Sequence, residues 1–133
     1  MRVLVTGGAG YIGSHTVRQL LAHGYQVVVY DNLSMGHRAA VPSDLLVVGD
    51  LKDADHLDHV LLIHRIEAVM HFAANAAVGE SVANPARYYQ NNLVNSLNLL
   101  ERMRRSGIRR MVFSSTCATF GSPDQLPITE ETL

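Results

Sequence analysis

Thr6-Gly7-Gly8-Ala9-Gly10-Tyr11-Ile12-Gly13 closes one apolar run and opens a stretch with helical spacing. Gly7, Gly10 and Gly13 follow the pattern G-x-x-G-x-x-G. In such a loop the first glycine lets the chain turn sharply and the second lets a pyrophosphate approach the backbone. The third lets helix and strand pack closely. Unpaired N–H groups at the helix start would then hold the anion. Glycines alone would serve any tight turn, and what singles these out is Asp31. It ends the next apolar run, about 20 residues beyond the loop. A carboxylate there accepts hydrogen bonds from ribose hydroxyls and repels a 2′-phosphate, which favours NAD over NADP. Arg38 is the one nearby feature on the other side. Asp31-Asn32 also reads as a plain turn pair after a strand.

Three further groups could serve the same site. Asp50-Leu51 follows a third apolar run, where a carboxylate either reaches an adenine amino group or merely caps a helix. His71-Phe72-Ala73-Ala74 ends a fourth run in small residues, which suit a ligand crossing strand ends and suit a tight crossover equally. Tyr88, Asn91, Asn95 and Asn98 are spaced three, four and three, one polar stripe on a helix. Asparagine is a poor helix former, so the stripe marks either a ligand-facing surface or a plain solvent face. His56-x-x-His59 with His64 has metal-like residues but no cysteine or fourth ligand to close a site, and no metal is expected.

The elements that must position these residues alternate. Arg2 to Thr6 reads as a buried strand and Tyr11 to His23 as a helix stopped by Gly24. Gln26 to Tyr30 and Leu45 to Val48 are the second and third strands. Asp53 to Arg65 is a helix with Leu57, Val60, Leu61 and His64 on one face, and Glu67 to Phe72 is the fourth strand. Asn84 as N-cap and Pro85 at the first position open a helix to about Arg105, stopped at Gly107. It spans about 31 Å at 1.5 Å per residue. Leu93, Leu97 and Leu100 form an apolar stripe on it, expected to lie mostly against the sheet. Arg110 to Ser114 is a fifth strand, after which Gly121, Pro123, Asp124 and Pro127 mark an irregular tail. Such alternation implies a parallel, doubly wound α/β sheet covered on both faces, the Rossmann arrangement.

Composition excludes other classes. The 133 residues amount to one domain, 47 % hydrophobic and 17 % charged, a globular balance. A net charge of −1 offers no overall field for nucleic acid or an anionic membrane. Arg102, Arg104, Arg105, Arg109 and Arg110 crowd a helix end, where cations complement the carbonyl dipole. A single cysteine, Cys117, forms no internal disulfide. No apolar run approaches the roughly 20 residues of a membrane helix, and the expected location is the cytoplasm.

Four stretches carry a resemblance to a known family: the glycine loop through Ser14-His15; Asp31-Asn32-Leu33; Val78-Gly79-Glu80-Ser81-Val82 with Tyr88-Tyr89-Gln90-Asn91-Asn92; and Phe113-Ser114-Ser115-Thr116 leading to Phe120-Gly121. The chain resembles the N-terminal part of an extended short-chain dehydrogenase/reductase, in its sugar-nucleotide 4-epimerase branch. The resemblance implies NAD as cofactor and a UDP-sugar as substrate. It also implies a homodimer built partly on the long helix.

By that resemblance Tyr11, Ile12, Asp31, Asn32, Leu33, Ser34, Met35, Gly36, Asp50 and Leu51 would contact NAD. So would Phe72, Ala73, Ala74, Asn75, Ala76 and, from the long helix, Asn91. Thr116 matches the hydroxyl residue that the family places beside the sugar's C4 oxygen; taken alone, it reads as a turn residue satisfying its own backbone. Ala76 stands where some members carry a lysine on the cofactor, and Phe120 where a tyrosine is usual. The family's general base belongs to a Tyr-x-x-x-Lys pair on the next helix. Lys52 is the only lysine here, and no tyrosine has a lysine four residues later. The expectation is therefore an N-terminal piece, residues 1–133, holding much of a cofactor site and one catalytic hydroxyl. The same residues also fit a sugar-nucleotide dehydratase or reductase, or a non-catalytic NAD module.

Overall fold

A computed structural model describes residues 1–123 and 126–132; Asp124, grouped above with the irregular tail, lies outside them. Five strands form one sheet: β1 (Arg2–Thr6), β2 (Gln26–Asp31), β3 (Leu46–Val48), β4 (Ala68–His71) and β5 (Met111–Phe113). Their order is β3-β2-β1-β4-β5, and every pairing is parallel. The β-branched run Val3-Leu4-Val5 lies at the centre, with Val5 beside Val29 of β2 and Met70 of β4. That order places the break between the two halves of the sheet at β1, the position where doubly wound sheets bind their ligands.

Alternation along β1 divides the interior in two. Val3 and Val5 pack with Val17 of α1 (Tyr11–Ala22), together with Val27 and Val29. Leu4 points the other way, toward Leu57, Val60 and Leu61 of α2 (Ala54–Ile63) and toward Leu99 and Met103. Side chains two residues apart share a face of a strand, so one short run supplies both cores. The helix ends follow their sequence signals. Asp53 caps α2 by accepting from the His56 amide at 3.0 Å, and Gly24 and Gly107 take positive φ after α1 and the last helix.

The segment read as one helix from Pro85 to Arg105 is not continuous. It comprises α4 (Pro85–Tyr88), a π-helical turn over Tyr89–Val94, and α5 (Asn95–Arg105); a short α3 (Val78–Ala83) precedes it. The i→i+5 bonding of a π turn shifts the phase of everything after it. The expectation that the leucine stripe lies mostly against the sheet is corrected, and the polar stripe is not a plain solvent face. Leu93, Leu97 and Leu100 do not face the sheet: they are 51 %, 55 % and 44 % exposed. The polar face turns inward instead, with Asn95 and Ser96 buried beside Leu99 and Met103, and Asn98 donating to the Leu51 carbonyl. Of the crowded arginines, Arg102 reaches Asp58 of α2 at 3.1 Å.

Leu99 is fully buried in the α2–α5 core, whereas Leu62 on α2 is 75 % exposed. Leu99→Ala should cost about 2–5 kcal/mol of unfolding free energy, and Leu62→Ala less than about 0.5 kcal/mol. Urea unfolding of both variants at low protein concentration checks the contrast.

Candidate functional site

The glycine loop joins β1 to α1 at the carboxyl edge of the sheet. Gly7 has φ +71°, and a Cβ there would fall 2.6 Å from the Ala73 amide nitrogen. A Cβ on Gly13 would run into the Gly7 carbonyl oxygen and lie 2.8 Å from the Gly8 Cα. Only glycine lets β1, β4 and α1 meet this closely. Gly10 differs, because a Cβ there would meet only the Gly7 oxygen at 3.2 Å; its bareness keeps the space before the helix open.

Gly10 is also the N-cap of α1, with no side-chain cap and no acidic residue in the first turn. The first intrahelical bond runs from the Ser14 amide to the Gly10 carbonyl. The amides of Tyr11, Ile12 and Gly13 thus have no helical acceptor and carry the positive end of the helix dipole. Such an end is fitted to an anion.

Asp31 stands at the far side of this opening, 7 % exposed. Its Oδ2 accepts from the Ala9 amide at 2.9 Å and its Oδ1 from the Leu33 amide at 2.8 Å. The carboxylate therefore ties the glycine loop to the loop after β2, so the plain turn role and a ligand role coexist in one residue. Each oxygen keeps lone-pair capacity toward the cleft. Asp50 is held similarly, taking the Lys52 amide at 3.0 Å and the Asn32 side-chain amide at 3.1 Å.

Two adjoining open cavities run along the strand ends, where ligands of doubly wound sheets bind. The first brings together Gly7, Gly10, Asp31, Asn32, Ser34, Met35 and Gly36 from one side. From the other come Asp50, Leu51, Phe72, Ala73, Ala74, Asn75 and Asn91. The second continues past Tyr11, Ile12, Gly13 and Ala76 to Glu80, Tyr88 and Ser114.

Two expected site residues do not join them. Leu33, at φ +58°, packs against the α1-side core. Thr116 is exposed and caps the 3₁₀ turn Cys117–Phe120, accepting from the Ala118 amide at 3.2 Å. Its strand ends three residues earlier, so the capping role available to any such threonine is the one adopted. Among the described residues no three His, Cys, Asp or Glu side chains gather as metal ligands.

A polar line under the site went unread in the sequence. The Asn92 side chain accepts from the Asn75 amide at 2.8 Å and donates to the Asn75 carbonyl at 2.9 Å. The Ser96 hydroxyl donates to the Asn92 carbonyl at 2.8 Å and meets His71 Nε2 at 3.0 Å. With its hydrogen committed, Ser96 accepts from Nε2–H, leaving His71 Nδ1 to accept from the Thr6 hydroxyl at 2.6 Å. His71 is only 3 % exposed, and burial pushes its pKa down to about 4. Tyr30 is also buried; its hydroxyl donates to the Asp50 carbonyl at 3.1 Å. Burial first, then Asp53 and Asp50, push its pKa up to about 12. A buried histidine ending a strand was the one available signal, and its spacing to Ser96 carries no periodic pattern.

The strand order, the open helix end and the cleft define a nucleotide-binding α/β protein of the Rossmann type. The chain belongs to the NAD dependent epimerase/dehydratase family, whose model matches residues 3–133. It is 55 % identical over 128 residues to a UDP-glucose 4-epimerase of Rhizobium meliloti (strain 1021), covering 96 % of this chain and 39 % of that protein. Its fold matches a UDP-glucose 4-epimerase from Brucella ovis in complex with NAD, at TM-score 0.90 and 50 % identity, over 97 % of this chain and 40 % of that one. The enzyme from Bifidobacterium longum in complex with NAD⁺ and UDP matches at TM-score 0.91 and 40 % identity, over 100 % and 42 %. The chain thus spans about 40 % of the length of the relatives it matches.

The folded pKa of His71 lies below the 6.5 of an unfolded histidine. As pH falls through 6.5 the unfolded chain takes a proton there that the folded chain refuses until about pH 4. The contribution of neutral His71 to stability is complete above pH 6.5 and declines between 6.5 and 4, by a total on the order of 3 kcal/mol. Denaturant titrations from pH 7.5 to 4 should show this limb, and His71→Gln should flatten it.

Proposed function

We propose that residues 1–133 are the NAD-binding part of a UDP-glucose 4-epimerase, an isomerase interconverting UDP-glucose and UDP-galactose through a 4-keto sugar. The observation that carries this reading is the uncapped α1 N-terminus opening onto a cleft closed at its far end by Asp31. The bare Gly10 fits the group as well, since it leaves a path for a pyrophosphate to the free amides. Tyr11, Ile12 and Gly13 would hold that pyrophosphate, Asp31 the adenosine ribose, and Asp50 with Leu51 the adenine edge. The small residues Ala73 to Ala76, with Asn91, would flank the nicotinamide half. Bound there, NAD would supply a hydride acceptor and donor for the sugar's C4.

Thr116 has its oxygen engaged by the Ala118 amide, but its hydrogen stays free to donate to a sugar oxygen. It cannot act as base, because an unassisted hydroxyl has far too high a pKa. With no Tyr-x-x-x-Lys among these residues, turnover needs a base from outside them. We also propose that Leu93, Leu97 and Leu100, exposed along one helix face, pair with a second copy in a homodimer. Among the described residues no helix is long and apolar enough to cross a membrane. Cys117 is free and exposed, which suits a reducing compartment, and we place the protein in the cytoplasm.

Calorimetric titration tests the cofactor reading. The chain should bind NAD more tightly than NADP, Gly13→Val should abolish binding, and Asp31→Ala should weaken it while narrowing the preference. Equal affinity of the unsubstituted chain for both dinucleotides would overturn the role of Asp31. In a coupled assay with UDP-galactose the 133-residue chain should show no turnover, since losing an acid–base group alone costs about 10²- to 10⁴-fold. Turnover near that of a complete enzyme would reveal a base among these residues. Light scattering should show self-association that Leu97→Glu disrupts.

A further inference from the structure

We infer that Asn92 is a clamp that sets the rim between the two halves of the cleft, with Ser96 and His71 as the positioning residues behind it. This rests on the cleft taking a dinucleotide. Asn75 lines both cavities and stands where one passes into the other. Its amide and its carbonyl are both bound by the single side chain of Asn92, at 2.8 and 2.9 Å. Two bonds to one residue fix its peptide planes as a neighbouring strand would, yet no strand is present at this point of the chain. The Asn92 oxygen takes a second donor, the Asn91 side-chain amide at 2.8 Å, and Asn91 lines the first cavity. One amide group therefore orients both residues that flank the passage.

The clamp is itself held from below. Asn92 lies in the π-helical turn Tyr89–Val94, and its carbonyl takes the Ser96 hydroxyl at 2.8 Å. Ser96 is joined to His71, and His71 to Thr6 in the central strand. All three are buried, so water does not compete for these bonds and a lost partner leaves a buried polar group unpaired. The wide turn is what faces Asn92 toward Asn75, since π turns commonly re-aim side chains at sites of this kind. The rim is thereby tied to the centre of the sheet through four side chains, none of them on either cavity wall.

The clamp sets the passage between the two cavities, so a ligand that spans it and one that stops short of it should part company. In the full chain, Asn92→Ala should raise the NAD dissociation constant about tenfold, as loss of one or two part-buried hydrogen bonds implies. The dissociation constant of ADP, which leaves the second cavity empty although Asn75 and Asn91 also line the first, should rise by a clearly smaller factor. Ser96→Ala should shift NAD in the same direction by a smaller factor, and Ser96→Thr, which keeps the hydroxyl, should restore it. Amide hydrogen exchange at Asn75 should accelerate in Asn92→Ala and Ser96→Ala without any ligand present. Equal weakening of NAD and ADP would show a merely structural role and overturn the clamp. So would unchanged NAD affinity in Asn92→Ala, or unchanged Asn75 exchange. Failure of the unsubstituted chain to bind NAD at all would overturn the cofactor reading and the clamp's purpose with it.

Discussion

The closeness with which α1 approaches the end of β1 governs the carboxyl edge of this molecule. Gly13 sits against the Gly7 carbonyl, and Gly7 against the Ala73 backbone, so three elements converge where a single Cβ would separate them. The Asp31 carboxylate then locks the loop by accepting the Ala9 amide and the Leu33 amide. Hydrogen bonds to a charged group contribute roughly 1.5–3 kcal/mol each, which offsets the cost of taking a carboxylate nearly out of water. Convergence and lock together aim the free amides of α1 into the cleft.

A second constraint works from below. The sheet is apolar on both faces, yet a polar line from Thr6 through His71 and Ser96 to Asn92 crosses the interior between β1 and the π turn. An apolar contact would be indifferent to small shifts, whereas hydrogen bonds fix distance and direction. That precision comes with a cost, because His71 can serve only while neutral. The helix carrying Ser96 is braced at two further points, by Asn98 on the Leu51 carbonyl and by Arg102 on Asp58. One inward polar face thus touches both the loop after β3 and the loop after β4.

The turn between α4 and α5 explains why that face looks as it does. Asparagines inside a helix would be poor choices on a solvent side, and the exposed leucines 93, 97 and 100 would be poor choices on a monomer's surface. With the π turn in place the asparagines become internal fasteners. The leucines become a surface that a partner can cover.

Much of this architecture was legible in residue order alone. Five strands, their alternation with helices, the glycine loop and Asp31 rest on local signals: β-branched runs, glycine spacing, the cap at Asn84. The ends of β1 and β2 came within a residue, because a buried parallel strand is a short apolar run bounded by turn formers. What only the tertiary structure decided is the direction in which the second half points. A π turn leaves no mark in a hydrophobic pattern, so the leucine stripe was assigned to the sheet side and the asparagine stripe stayed open between a ligand-facing and a solvent face. Leu33 and Thr116 were placed by resemblance, but a positive φ turns one toward the core and a local cap claims the oxygen of the other. Ser96 back-bonds to Asn92 four positions earlier, a local habit of helices, but His71 meets Ser96 across 25 positions and Asn92 meets Asn75 across 17. Bonds of that kind are set by how elements stack, which no local spacing encodes.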